Sequence, residues 1–228
     1  MAREVTIRKR HQDRGRDVRA ILLWVAASWV WMGGAFPCLA ETGPGQDPVT
    51  TQREASLSKL RDQFSLRPDE PAVIVDVSEQ KLYLIKGQSA LRSYPVSTSR
   101  YGTGSQRDSK KTPLGVHRIR EKIGRDAPWG ALFRGRKRTG EIAPIYRDRT
   151  PMKGDLITTR ILWLDGQEEG ANKGPGVDSH ERYIYIHGTP EEGFIGVPRS
   201  KGCIRMRNGD IIELFEEVPE GTLVQIQE

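Results

Sequence analysis

A candidate base and a candidate nucleophile, His187 and Cys203, stand sixteen positions apart, each inside a patterned segment. The run Arg182-Tyr183-Ile184-Tyr185-Ile186-His187-Gly188-Thr189 alternates. A strand over 182–187 therefore puts Tyr183, Tyr185 and His187 on one face and Ile184 and Ile186 on the other. His187 ends that strand just before Gly188, where the chain can turn. Ser200-Lys201-Gly202-Cys203-Ile204-Arg205-Met206 follows at a spacing long enough for a loop to leave the strand and return beside it. An imidazole brought against the Cys203 sulfur supplies the base that thiol acyl transfer requires. Gly202 allows a substrate carbonyl to come close, and the amides of Gly202 and Cys203 are natural oxyanion donors.

The surrounding charge suggests an activated thiol. Arg199, Lys201, Arg205 and Arg207 flank Cys203, and no acidic residue occurs between positions 193 and 209. A thiol at its ordinary pKa of about 8.5 is only roughly 3% ionised at pH 7, whereas a pKa of ~6.5 gives about 75%. Cations act in that direction, and the same cations can hold a substrate carboxylate.

Elements must deliver these residues to one place. Residues 72–77, 81–86 and 91–97 read as short β-branched or aromatic strands of an antiparallel meander, followed by a strand over 116–120. Residues 124–154 look like a long irregular stretch, rich in Lys and Arg with Trp129, Phe133 and Tyr146, suited to a lid over an acidic ligand. Strands are expected at 157–164 and 222–226. Asn208-Gly209-Asp210 is expected to cap a helix burying Ile211, Ile212, Leu214, Phe215 and Val218. A short helix over 56–64 would bury Leu57, Leu60 and Phe64.

The chain opens differently. Residues 1–20 carry a net charge of +4 and residues 21–40 carry none, leaving +2 of the total +6 for residues 41–228. A basic start, a short apolar run and small residues before Glu41 describe a signal peptide over 1–40, with an uncleaved N-terminal anchor as the alternative. Residues 41–70 then read as a linker with the short helix, and 71–228 as the functional domain. Cleavage would remove Cys38 and leave Cys203 as the single cysteine of an exported chain. With the basic excess concentrated in this leader, the charge does not argue for nucleic acid, and 36% hydrophobic residues exclude a polytopic membrane protein.

His187-Gly188-Thr189 followed by Ser200-x-Gly202-Cys203-Ile204-Arg205-Met206 resembles the catalytic signature of the L,D-transpeptidases of YkuD type. Ile74-Val75-Asp76-Val77, Tyr94-Pro95-Val96-Ser97-Thr98 and Lys111-Thr112-Pro113-Leu114-Gly115 extend the resemblance over roughly residues 70–227. It implies a mainly β fold, a mixed β-sandwich or open barrel with one packing helix near the C-terminus. It further implies Cys203 as nucleophile and His187 as base, with Ser200, Lys201, Arg205, Gly188 and Thr189 around the substrate, and no metal or organic cofactor. Lys201 stands where many members carry a second histidine.

The implied substrates are peptidoglycan stem peptides in the periplasm or cell envelope, joined by a 3→3 link. Water, an amino acid or a lipoprotein lysine are alternative acceptors, and a non-catalytic wall-binding module is a reading of another class. A zinc site built from His180, His187 and Cys203 is the rival chemistry, but neither HExxH nor CxxC occurs. His117, on a strand, reads as structural.

Overall fold

The computed structural model describes residues 48–228. The expected leader over 1–40, with Cys38, and the start of the expected linker lie outside these residues. Helix α1 spans Pro48–Phe64, and ten strands follow: β1 Pro71–Asp76, β2 Lys81–Lys86, β3 Ser89–Pro95, β4 Gly115–Ile123, β5 Ala131–Arg134, β6 Lys137–Ile142, β7 Ile157–Gly166, β8 Tyr185–Gly188, β9 Ile204–Met206 and β10 Leu223–Gln227. Helix α2, Asn208–Glu217, sits between β9 and β10. The expected mainly β class with a packing helix near the C-terminus is what the chain adopts.

One mixed sheet runs β3-β2-β1-β10-β4-β7-β5-β6, with β8 and β9 branching from β7. The meander β1-β2-β3 is antiparallel as expected, while the closing strand β10 lies parallel to β1. Helix α1 begins earlier than the expected residue 56 and covers one face through Leu57 and Leu60, against Ile74, Tyr83 and Ile85. The other face holds the main core. Val73 and Val75 of β1, Leu162 and Leu164 of β7, Ile186 of β8 and Ile204 of β9 meet Ile211, Leu214, Phe215 and Val218 at α2. That apolar face of α2 is the one its spacing predicts, with Ile212 only half-buried.

Three expectations are corrected. The stretch 124–154 is not wholly irregular, because β5 and β6 form a hairpin within it and β5 pairs with β7. Strand β8 begins at Tyr185 rather than residue 182, since Tyr183 adopts a φ of +57° in a preceding turn. Asn208 does not cap α2. Its side chain is buried inside the first turn, accepting from the Thr158 and Thr159 hydroxyls and donating to the Thr189 carbonyl and Glu192.

Strand β7 organises the site because it changes neighbour along its length. On one side it pairs with β8 from Thr158 to Trp163, while on the other it exchanges β5, at Ile157 and Thr158, for β4 from Ile161 onward. A register shift between Thr158 and Ile161, with Thr159 at φ +69°, gives the kink that makes this possible.

His117 is fully buried on β4, its two ring nitrogens engaged by Gly115 O and Ser179 Oγ at 3.0 Å each. Burial pushes its pKa from 6.5 down to about 4. The unfolded chain therefore binds a proton that the folded one refuses between those values. Stability present above pH 6.5 should fall by about 3 kcal/mol as pH drops toward 4. Urea unfolding at pH 7.5 and 4.5 checks this. The pH-dependent loss should shrink by that amount in His117→Gln, and an unchanged loss would refute it.

Candidate active site

Strands β8 and β9 run parallel, with Ile186 opposite Ile204 and His187 opposite Arg205. Because side chains alternate, Ile186 and Ile204 enter the main core while His187, Arg205 and Cys203 share the opposite face. There Cys203 is half-buried against the cluster formed by Ala127, Ala131, Phe133, Ile161, Trp163 and Tyr185. Glycine is required one residue earlier. Gly202 has φ +125°, and a Cβ on it would meet the Ile184 side chain at 3.3 Å and Lys111 O at 3.4 Å.

His187 is 1% exposed, and its Nδ1–H donates to Gly188 O at 2.8 Å. That bond fixes the tautomer and leaves Nε2 as a lone-pair acceptor, buried and without a hydrogen-bond partner. Burial holds the imidazole pKa below its usual 6.5, with Asp155 opposing the shift. The Cys203 thiol donates instead to Tyr183 O at 3.4 Å. Thiol and base thus share a sheet face without a bond between them in the resting protein.

The expected activated thiolate is not found. Burial, reinforced by the Asp155 carboxylate, pushes the Cys203 pKa up to about 12, outweighing the backbone bond at Tyr185 and the guanidinium groups of Arg205 and Arg182. The cations that flank Cys203 in sequence are largely occupied. Arg205, 3% exposed, pairs with Asp155 at 2.6 Å and Glu191 at 2.7 Å, and Glu191 also takes Arg199 at 3.5 Å. Arg207 lies in a separate hollow with Trp129, Arg147 and Asp210. The acid-free window 193–209 was a property of the sequence alone, because the fold brings Asp155 and Glu191 in from outside it.

The other expected site residues are distributed as follows. Ser200 is buried and works inside the loop, donating to Cys203 O at 2.6 Å and accepting from the Gly202 amide at 3.2 Å. The Gly202 N–H is therefore engaged at rest rather than free for an oxyanion. Lys201 has an exposed side chain, and its amide donates to Asp155 at 2.9 Å. It borders two hollows, of about 80 Å³ beside Arg199 and Glu191 and about 330 Å³ beside Arg182 and Tyr183. Gly188 and Thr189 are buried in the scaffold. A Cβ at Gly188 would lie 2.6 Å from Thr158 O, and Thr189 bonds to Met206 O and Glu191 N.

His180 stacks on Trp163 with centroids 3.9 Å apart, and no group of three His, Cys, Asp or Glu able to hold a metal ion occurs among the described residues. Asp155, Glu191 and Arg182 bear on the site without having been expected there from the sequence. Only the Gly154-Asp155 turn ahead of an apolar strand hinted at any of them.

The family model for the L,D-transpeptidase catalytic domain, YkuD, matches residues 70–226. A probable L,D-transpeptidase ErfK/SrfK of Salmonella typhimurium is 56% identical over 199 residues, covering 85% of this chain and 56% of that protein. A putative L,D-transpeptidase YkuD of Bacillus subtilis is 58% identical over 88 residues, covering 39% of this chain and 43% of that one. A solved L,D-transpeptidase from Mycobacterium smegmatis aligns at TM-score 0.44 and 14% identity, over 70% of this chain and 59% of that chain, too distant to bear on assignment. The chain spans about half the length of that Salmonella typhimurium relative and of a probable L,D-transpeptidase YcfS of Escherichia coli, 56% and 54%. With the family model covering most of its length, the chain belongs to the L,D-transpeptidase catalytic domain family.

Proposed function

We propose that this domain is a cysteine acyltransferase acting on the tetrapeptide stems of peptidoglycan, exported to the cell envelope by its N-terminal segment. The observation that carries the reading is the His187 ring. Its Nδ1 is tied to Gly188 O, and its buried Nε2 lacks a partner on the sheet face that bears Cys203. A buried lone pair left unbonded is costly to the fold and is the form a general base must have.

The chemistry then starts from two neutral groups. As the stem's third-residue carbonyl arrives, the thiol leaves Tyr183 O. Nε2 takes the Sγ proton while the Sγ–C bond forms, so no thiolate need accumulate. The Cys203 amide faces the developing oxyanion, joined by the Gly202 amide if the Ser200 hydroxyl yields it. Collapse breaks the peptide C–N bond, and the imidazolium returns its proton to the departing D-Ala amine. The thioester next accepts an amine from a neighbouring stem. Nε2 removes the amine proton as the C–N bond forms, collapse breaks the thioester C–S bond, and the proton goes back to sulfur. This 3→3 outcome shares its first half with hydrolysis or with transfer to an amino acid or a lipoprotein lysine.

Product analysis tests the reading. Residues 41–228 incubated with disaccharide-tetrapeptides should yield cross-linked dimers and free D-Ala. Tripeptides alone would mean that water is the acceptor, and unchanged substrate would overturn the proposal.

A further inference from the structure

The cations around the candidate site differ in what they have left to offer a ligand. Arg205 and Arg199 are committed to carboxylates. Arg107 is paired with Glu181, and Arg182 is spread over Lys111 O, Gly104 O and Ser109 Oγ. Arg136 is in another state. Its guanidinium lies 4.3 Å from the Trp163 ring centroid and 5.1 Å from that of Tyr183, and its Nη1 donates to the Tyr185 hydroxyl at 3.3 Å. No ion pair is made by Arg136 among the described residues. It borders a hollow of about 400 Å³ with Arg107, Trp163, His180, Glu181 and Tyr183. Trp163 and Tyr185 belong to the buried cluster against which Cys203 packs.

Backbone geometry makes the placement harder to dismiss as surface decoration. Residues 135 and 136 form the two-residue turn of the β5–β6 hairpin, with φ +52° and +65°. Such turns favour glycine at the second position, and an arginine there is strained. Tyr183 is strained in the same way at φ +57°, and the residue is 53% exposed. Two bulky left-handed residues from distant parts of the chain thus meet beside the nucleophile. Strain of this kind persists where the surroundings enforce it, commonly at ligand sites.

We propose that Arg136, held on its aromatic shelf, is the receptor for a free carboxylate of the peptide substrate. The proposal rests on the stem-peptide reading above and names a contact within it. A guanidinium held flat by stacking presents its fork with little further ordering, unlike the exposed amine of Lys201. It replaces Arg199 and Arg205, whose charge is spent internally.

The test is binding without turnover, by calorimetry on the Cys203→Ala protein. Three tetrapeptides are compared: the free acid, the C-terminal amide, and the amide of the third residue's side-chain carboxyl. One amide should bind about 10–100-fold more weakly than the acid, which identifies the carboxylate concerned. Adding Arg136→Met should remove that discrimination, and Arg136→Lys should keep part of it. Equal binding of all three peptides to Cys203→Ala overturns the proposal. So does no binding of any peptide, or an equal loss for acid and amides on adding Arg136→Met. Acyl transfer plays no part in this readout, so its failure appears only in the product assay.

Discussion

Incubated with a carbapenem, the wild-type domain should gain the mass of one adduct on Cys203, and the Cys203→Ala protein none. The β-lactam carbonyl stands in for the stem carbonyl, so the adduct reports the first half-reaction alone. His187→Ala should slow adduct formation by about 10²–10⁴-fold, the usual span for loss of a positioned general base. The thiol pKa of about 12 sharpens the expectation, because without Nε2 almost no nucleophile exists near neutrality.

The pH dependence follows from the imidazole. Its pKa lies below 6.5 in the folded protein and the proposed mechanism uses its neutral form, so the rate should rise through that lower value and then level off. A preformed thiolate–imidazolium pair would instead give a bell and rapid alkylation by iodoacetamide at pH 7. Intact-mass kinetics across pH 5–9 separates the two. An adduct that persists in Cys203→Ala would remove the sulfur from the reaction.

Arg205→Met should cost about 3–5 kcal/mol of stability, through what it leaves behind more than through what it removes. Glu191 is 3% exposed and depends on Arg205 at 2.7 Å, while Asp155 takes both Nε and Nη2 of the same guanidinium. Without it, the two carboxylates keep the Lys201 and Met152 amides, and among the described residues the one cation still paired with either is Arg199, at 3.5 Å from Glu191. Adding Glu191→Gln and Asp155→Asn to Arg205→Met should recover part of the loss, since the orphaned charges then disappear. Urea unfolding measures both steps. A loss under about 1 kcal/mol in the single variant would mean that the cluster is a solvated ion pair.

The main strands were legible because their residues alternate or run apolar over short lengths, as in 72–77 and 157–164. Helix α2 was legible from its face of Ile211, Leu214, Phe215 and Val218. The return of the Cys203 segment beside the strand that bears His187 followed from strand period and loop length, which are local properties. Electrostatics around the sulfur was not local. Asp155 arrives from the approach to β7 and Glu191 from the loop after β8, and together they neutralise cations that looked free in sequence. The β5–β6 hairpin was missed because its turn has Arg where the usual signal is glycine, and because every residue of β6 is exposed, leaving no alternation. Asn208 looked like a cap because its type is common there, yet its amide instead binds β7 to the loop after β8.

The hydrogen bond from the Cys203 thiol to Tyr183 O has an effect outside the reaction cycle. Peroxide attacks sulfur as the anion, and the ladder from sulfenic to sulfonic acid begins there. A proton retained until an acyl donor displaces it withholds that anion between turnovers. On the acyl-transfer reading proposed above, the idle domain should therefore resist oxidants that would silence a permanently ionised cysteine.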